Sequence, residues 1–425
     1  MLNKNRISLA PGVGLNIISD ERFKSEFFSI SFITPLKSGE NTVSYILPSL
    51  LLRGSQKYPK ARDIGRALQE CYDTELSGES YRMGNAKIIR FGMAFISEDY
   101  TDFPIRQRVF DLLNQIILHP LKEESSELCH AFTELEKNSV IDLIKTKINN
   151  KKSYAFSRCR DILLDGDDCG VSKHGTIKSA MELSPQAVTE FYNRMISDFS
   201  IEFFYEGSAG VEYIKSLIES TFGELIHEKK TSPEALGGFI PAPTVPETCK
   251  TESSECEQTI LCMGFETPHI DANDFSARLF TEILSSSSVS RLFMNIREKR
   301  GLCYFCDYNT IAKKDRAIIC AGLKYSKLSE AKQAILDEIH DISLGNISDY
   351  EFYAAKASLK NAYLGVNDSP HSIESWEIAS LFLKEYLTPE DVIAKIEALE
   401  KSDVSRYAAQ LKLKVVYVLK EESDE

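Results

Sequence analysis

A helix followed by an apolar strand occurs near the middle of the chain and again at its end, and this repeat constrains the fold most. The apolar positions of the two copies have the same spacing: Leu183, Val188, Phe191 and Phe199 in the first, and Leu399, Val404, Tyr407 and Val415 in the second. A repeated pattern of this kind indicates a duplicated unit. The 425 residues are enough for two units of about 200 residues each. We therefore predict two tandem α+β units.

The unit boundaries follow from a change in composition. The segment 227–257 is rich in Pro, Gly, Thr, Ser and Lys and has no periodic pattern, which is typical of a linker. We therefore predict a first domain over residues 1–226 and a second over residues 258–425.

Periodicity also predicts individual elements. Phe28, Ile30 and Phe32 alternate along one face of a strand in the first domain. Helical spacing continues from Glu123 to Asp161, which predicts one long helix. A strand over Cys303–Ile311 is predicted to begin a hairpin in the second domain.

Charge and hydropathy exclude several classes of protein. The formal net charge of −13 argues against a nucleic-acid partner, because phosphate binding requires clustered Lys and Arg. The longest apolar run, Val43–Leu52, is too short to span a membrane. Residues 1–23 lack the unbroken apolar core of a signal peptide, and the ten cysteines show no disulfide framework. We therefore expect a cytoplasmic protein with reduced thiols and no membrane partner.

The most specific stretch of the sequence is residues 290–304, SRLFMNIREKRGLCY. It predicts a helix with a basic last turn that stops at Gly301 and leads directly into a strand. Arg297 lies in that last turn and Tyr304 near the start of the strand. A guanidinium and a phenol hydroxyl can therefore both face whatever lies at this junction. Taken alone, without a resemblance, the structural interpretation is preferred: Arg297 as a helix-end charge and Tyr304 as a half-buried strand aromatic.

This stretch closely resembles the second-domain signature of the insulinase/pitrilysin-like zinc peptidases, S-R-L-F-x-x-[IVL]-R-E-x-x-G-L-x-Y. The turn Gly175-Thr176-Ile177 and the strand–Gly–helix unit ending at Phe222-Gly223 are similar to the first domain of that family, so the resemblance covers nearly the whole chain. It implies two related domains, each a mostly antiparallel sheet packed with helices, as in one half of a clamshell. It also implies that Arg297 and Tyr304 hold the substrate carbonyl.

The zinc motif of the catalytic family members is missing from this sequence. Those members carry H-x-x-E-H on the first long helix, where two His at i and i+4 bind Zn²⁺ and the Glu activates a water molecule. The matching turn here is Arg53-Gly54-Ser55, which places Tyr45 and Ser49 at the histidine positions and Pro48 at the general-base position. The third ligand is expected near Asp142-Leu143, and the loose alignment does not choose between these two residues.

No other metal or cofactor site is predicted. No two of the seven histidines are three to five residues apart, so no pair shares a helical turn. Cys303 and Cys306 form a C-x-x-C, but an offset of three on a regular strand places the two side chains on opposite faces. We therefore expect a structural role for both cysteines and no cofactor in this chain.

The resemblance implies a leading hypothesis and alternatives. In bacteria, members of this family often work in pairs, in which one subunit carries the zinc motif and the other the Arg/Tyr pair. The leading hypothesis is that this chain is the non-catalytic subunit and completes the peptidase site of a homologous zinc-bearing partner. The expected substrate of the pair is a peptide or an unfolded protein. The alternative is a non-proteolytic assembly protein, since similar chains are named for an association with 5-aminopentanol modification of elongation factor P. An independent zinc peptidase would instead contain stoichiometric zinc.

Overall fold

The computed structural model describes residues 3–236, 240–269, 274–311 and 314–421. The chain divides into two compact units. Unit 1 comprises Met1–Lys145, Ser172–Gly238 and Ser369–Lys384, and unit 2 comprises Thr146–Val171, Phe239–Asp368 and Glu385–Glu425. Each unit therefore contains one segment from the other half of the sequence. In the part of the chain that the structure describes, no helix is both long and apolar enough to cross a membrane.

Each unit is built on one sheet. Unit 1 has six strands in the order β1-β2-β6-β3-β5-β4, namely β1 (Asn3–Ala10), β2 (Val13–Ser19), β3 (Ser25–Pro35), β4 (Glu75–Met83), β5 (Ala86–Ile96) and β6 (Ser200–Gly207). Unit 2 has five strands in the order β7-β11-β8-β10-β9, namely β7 (Thr248–Ser254), β8 (Thr259–Glu266), β9 (Phe305–Thr310), β10 (Arg316–Leu323) and β11 (Lys412–Glu421).

Helices connect and cover these strands. In chain order they are α1 (Asn41–Leu51), α2 (Ala61–Glu70), α3 (Ile105–Leu118), α4 (His130–Thr146), α5 (Lys151–Leu163), α6 (Ile177–Met181), α7 (Pro185–Asp198), α8 (Val211–Phe222), α9 (Pro233–Leu236), α10 (Ser276–Thr281), α11 (Leu328–Ser343), α12 (Asp349–Leu364), α13 (Pro370–Ser380), α14 (Pro389–Ala398) and α15 (Lys401–Ala408). Two wider helical segments, Glu282–Ser286 and Leu292–Lys299, lie between α10 and β9.

The two sheets share one topology. Strands β2-β6-β3-β5-β4 of unit 1 correspond in order to β7-β11-β8-β10-β9 of unit 2. The single parallel pair falls at the same place in both, β2 with β6 and β7 with β11. The repeat found in the sequence corresponds to α7–β6 and α15–β11. The predicted α+β fold class is therefore confirmed, and the duplication extends to the whole sheet, with β1 as an added edge strand.

One strand lies inside the segment that we predict as a linker. Strand β7 pairs with β11, but its side chains alternate between half-buried and exposed up to Ser254. An edge strand of this kind carries no apolar pattern, so periodicity alone does not reveal it. The residues just before β7 are also held in place: the Ala242 and Pro243 carbonyls accept hydrogen bonds from the buried Arg316 guanidinium. The domain boundaries themselves stay a prediction.

The long helix predicted from Glu123 to Asp161 is wrong. The chain is helical in two separate parts, α4 and α5, and the Asn150 side chain between them accepts a hydrogen bond from the Ser153 N–H at 2.9 Å. This N-cap starts a new helix. The two helices also belong to different compact units. Apolar periodicity continues across both of them, so it does not show that α4 packs in unit 1 and α5 in unit 2.

Both faces of the unit 1 sheet are buried. Phe28, Ile30 and Phe32 of β3 lie in the large core beneath α1, α3 and α8, which confirms the predicted face. On the other face, Phe27 packs with Ile373 of α13. Helix α13 comes from the second half of the sequence, and it covers a sheet face that would otherwise expose apolar side chains to water.

A buried ion pair holds α13 on that face. The Glu374 carboxylate accepts hydrogen bonds from the Arg90 guanidinium at 2.6 and 2.7 Å and from the Ser29 hydroxyl. Burial acts to raise the pKa of Glu374, but its bonds to His371 and Arg90 outweigh that effect and lower the pKa. The pair is thus ionised and enclosed.

Unit 2 uses an equivalent arrangement. Helix α5, from the first half of the sequence, packs on the face formed by β8, β10 and β11. Its Arg158 donates to the Glu252 carboxylate of β7 at 2.6 Å, and the Tyr417 hydroxyl donates to the same group at 2.8 Å. The Arg158 hydrogen bond lowers the pKa of Glu252 to about 2. Each covering helix is therefore fixed by an arginine–glutamate pair.

We predict that Glu374→Ala strongly destabilises unit 1, because it leaves the Arg90 guanidinium buried without its main partner. The expected loss in the free energy of unfolding is roughly 3 kcal/mol, as for other broken buried pairs. Glu79→Ala is the matched control, since Glu79 binds the same Arg90 from a half-exposed position and should cost less than about 1 kcal/mol. Chemical denaturation of both variants measures the difference, and equal losses would contradict the role of the buried pair.

We also predict that stability falls with rising pH because of Glu206. This side chain is 1 % exposed, and burial together with the neighbouring Asp20 carboxylate raises its pKa from 4.5 to about 8. A carboxyl whose pKa is raised in the folded state stabilises the protein below its unfolded pKa, and this contribution is lost as the pH rises through the folded pKa. The loss should develop between about pH 4.5 and pH 8.

The variant Glu206→Gln should therefore flatten the dependence of the melting temperature on pH over this range and melt higher than wild type at its alkaline end. Exposed Glu212→Gln serves as the control and should follow the wild-type curve. An unchanged slope in Glu206→Gln would show that another group causes the dependence.

Candidate functional site

The signature segment is anchored by a buried arginine. Arg291 is 5 % exposed and donates hydrogen bonds to Glu351 at 2.8 Å, to Asp341 at 2.7 Å and to the Asn346 carbonyl. These partners lie on α12, on α11 and in the loop between them. Arg291 therefore fixes the helix Leu292–Lys299 against the body of unit 2.

The helix ends as predicted at Gly301. This residue has a φ of +58°, in the left-handed region that glycine adopts without strain. The Gly301 N–H donates to the Arg297 carbonyl and the Leu302 N–H to the Ile296 carbonyl. These bonds satisfy carbonyl groups at the helix end and turn the chain toward β9.

Arg297 and Tyr304 are both accessible on unit 2. The Arg297 side chain is 44 % exposed, lies 3.5 Å from the Glu298 carboxylate and covers the Phe293 ring. Tyr304 is 54 % exposed, while its N–H donates to the Gly322 carbonyl at 2.7 Å. Tyr304 precedes β9 and does not lie within it as predicted. The backbone is thus fixed while the guanidinium and the phenol face solvent, and their role in binding stays a prediction.

The placement predicted for Cys303 and Cys306 is wrong. Both side chains enter the same apolar core of unit 2. The reason is that the chain bends at Tyr304 and the strand begins only at Phe305. The strict alternation of a regular strand therefore does not apply between the two cysteines.

The positions predicted for the zinc motif lie on α1, and their side chains are poorly suited to bind a metal. The Tyr45 ring makes an edge-to-face contact with the His174 ring, with 4.5 Å between the ring centroids. Burial, and to a smaller extent the Glu136 charge, raise the pKa of Tyr45. Pro48 is buried within the helix and lacks the N–H that would bond to the Ser44 carbonyl. Ser49 is exposed. A phenol held neutral, a proline and a serine are poor substitutes for two imidazoles and a carboxylate.

A buried carboxylate near these positions was missed by the sequence analysis. Glu136 of α4 is 10 % exposed and forms an ion pair with Arg53, whereas Asp142 and Leu143 lie exposed on the same helix. The spacing of Glu136 from the buried Thr133 and Val140 could have indicated its inward orientation. Its charge is balanced by Arg53, and the described residues contain no group of three or more His, Cys, Asp or Glu that could hold a metal ion.

We predict opposite effects for the two arginines of the signature. Arg291→Ala leaves the Glu351 and Asp341 carboxylates without their shared cation, so the free energy of unfolding should fall by roughly 2–4 kcal/mol. Arg297→Ala removes an exposed side chain and should change it by no more than about 0.5 kcal/mol. Urea denaturation of the two variants checks this, and a large loss in Arg297→Ala would mean that Arg297 is structural.

The two units contain sheets of one topology, the signature helix of unit 2 presents Arg297 and Tyr304 to solvent, and Tyr45, Pro48 and Ser49 stand on α1 at the positions predicted for the zinc motif. Residues 182–359 match the family described as Peptidase M16 inactive domain. The chain is 22 % identical over 417 residues, 96 % of both chains, to "Probable inactive metalloprotease YmfF" of Bacillus subtilis (strain 168). It is 20 % identical over 366 residues, 83 % of this chain and 86 % of the relative, to "Uncharacterized zinc protease YmxG" of the same organism.

A solved structure shows the same fold. The peptidase M16 inactive domain from Pseudomonas fluorescens superimposes with a TM-score of 0.81 at 13 % identity, covering 100 % of both chains. The resemblance stated from the signature is therefore confirmed: residues 182–359 match the family of M16 inactive domains, and the chain has the fold of M16-like peptidases.

Proposed function

We propose that this chain is the non-catalytic subunit of a heteromeric metallopeptidase and contributes Arg297 and Tyr304 to the peptide-binding site of a zinc-bearing partner. One observation carries the proposal: the signature junction is held rigidly by the buried Arg291 while Arg297 and Tyr304 remain exposed. An ordered backbone that presents two polar side chains to solvent suits ligand binding.

The chemistry of these two groups fits the scissile carbonyl of a peptide. The Arg297 guanidinium supplies a fixed positive charge with several N–H donors, and the Tyr304 hydroxyl supplies one further donor. Donors of this kind stabilise the negative charge that develops on the carbonyl oxygen in the transition state. The partner supplies the metal centre, because the positions Tyr45, Pro48 and Ser49 cannot.

The names of the two relatives support such a pairing. One organism, Bacillus subtilis, has both a relative named as a probable inactive metalloprotease and one named as a zinc protease. A relative named as inactive can thus occur in the same organism as a relative named as a zinc protease. The substrate class proposed here is a peptide or an unfolded protein segment.

We predict that hydrolysis by the mixture of this chain with its zinc-bearing homologue depends on both side chains. Arg297→Ala and Tyr304→Phe should each lower turnover by roughly 10²-fold to 10³-fold, because each removes one donor to the oxyanion. The measurement is cleavage of a fluorogenic peptide library by the reconstituted pair. Arg300→Ala is the matched control: Arg300 is also 44 % exposed and lies next to the helix end, where it pairs with Glu330.

Size-exclusion chromatography of each mixture separates loss of chemistry from loss of assembly. Full activity of the pair containing the Arg297→Ala/Tyr304→Phe double variant would overturn the proposal. A pair that binds a folded protein but cleaves no peptide would favour the alternative, a non-proteolytic assembly protein of the kind linked to elongation factor P modification.

A further inference from the structure

A cavity of about 210 Å³ lies between α13 and the β4 edge of the unit 1 sheet. Three elements line it, with Glu79, Tyr81 and Met83 from β4, Arg90 from β5, and His371, Glu374 and Ser375 from α13. All of these residues belong to unit 1. Pockets that enclose a whole small molecule begin at roughly 300 Å³. A cavity of this size therefore suits a single side chain.

One wall of the cavity is apolar. Tyr81 and Met83 lie on the same face of β4, because they are two residues apart on a strand. Both pack against the apolar cluster that contains Ile88 and Ile378. Burial raises the pKa of Tyr81 well above its ordinary value, so its phenol stays neutral. The methylene groups of an entering side chain would find apolar contacts here.

The charges around the cavity do not cancel. The Arg90 guanidinium and the Glu374 carboxylate are 2.6 Å apart, and their side chains are only 4 % and 1 % exposed. The Glu79 carboxylate contacts the same guanidinium at 3.1 Å, but its side chain is 48 % exposed. Two carboxylates thus share one guanidinium, which leaves one negative charge while His371 is neutral. This excess charge favours a cation over a neutral or anionic group.

His371 is the group that responds to this excess charge. Its Nδ1 lies 3.5 Å from the Glu374 carboxylate. The charged groups that face it are Glu374 on its own helix, Arg90 on β5 and Glu79 on β4. The hydrogen bond with Glu374 raises the pKa of His371, although burial and the Arg90 charge oppose this effect. A proton on His371 and a cation in the cavity therefore compete for the same negative charge.

We propose that this cavity binds the basic side chain, Lys or Arg, of a polypeptide. Such a side chain combines an apolar stem with a cationic end: the stem packs on Tyr81 and Met83, and the cationic end pairs with Glu79. Protonation of His371 opposes the binding. The proposal does not depend on the proposed function, since it involves neither Arg297 nor Tyr304.

Methyl NMR of the full-length chain tests the binding. The methionine methyl groups are labelled with carbon-13, and the Met83 signal is assigned by its loss in Met83→Leu. Nα-acetyl-lysine methylamide should shift this signal saturably, whereas the uncharged Nα-acetyl-norleucine methylamide should not. Glu79→Gln should weaken the affinity by roughly 10-fold, because it removes a charge-assisted hydrogen bond. Glu75→Gln is the matched control, since Glu75 is exposed on the same strand and does not line the cavity.

The dependence of this affinity on pH tests the part played by His371. The affinity should rise as the pH rises through the pKa of His371, because the imidazolium repels the ligand ammonium, which stays charged over this range. In His371→Gln the affinity should no longer change with pH.

Four results would overturn the proposal: no saturable shift of the Met83 signal, an equal shift with the norleucine compound, undiminished binding by Glu79→Gln, or a wild-type affinity that is independent of pH. Tighter binding of butylammonium than of the acetylated lysine would also overturn it, because it would assign the cavity to free amines and not to a polypeptide.

Discussion

Burial of each sheet on both faces is the constraint on which the rest of the structure depends. A sheet with apolar side chains on its two faces needs a layer on each, and one of these layers contains a helix from the other half of the sequence. That helix is α13 in unit 1 and α5 in unit 2.

This arrangement explains which part of the fold was predictable. The face of β3 that carries Phe28, Ile30 and Phe32 alternates cleanly, so its strand and its core were predicted. The opposite face mixes Phe27 with Ser29, because a buried ion pair and not apolar contact alone fixes the covering helix there. A pattern of hydrophobic periodicity cannot show that Arg90 and Glu374 meet, since the pair joins residues far apart in the sequence.

Contacts between residues that are far apart in the sequence also limit what could be predicted about the site. The spacing of Arg297 and Tyr304 was readable from the signature, but only burial and hydrogen bonding distinguish the structural Arg291 from the exposed Arg297. The cysteine prediction failed because it assumed a regular strand, and one bend at Tyr304 changes which side chains share a face. Glu136 of α4 was not predicted, because its ion pair is formed with Arg53, which follows α1 and is distant in the sequence.

The ion pair between Arg53 and Glu136 links the turn after α1 to α4. A buried carboxylate requires a nearby cation or a proton, since an isolated charge is costly to remove from water. Here Arg53 provides the cation, and the Tyr45 ring packs against His174 beside it. The helix continues through Pro48 to Leu51 despite the lost hydrogen bond, because the surrounding core buries most of its side chains. The Glu136 charge is thus balanced by the Arg53 guanidinium, and α1 is held by packing and not by a shared ligand of its polar side chains.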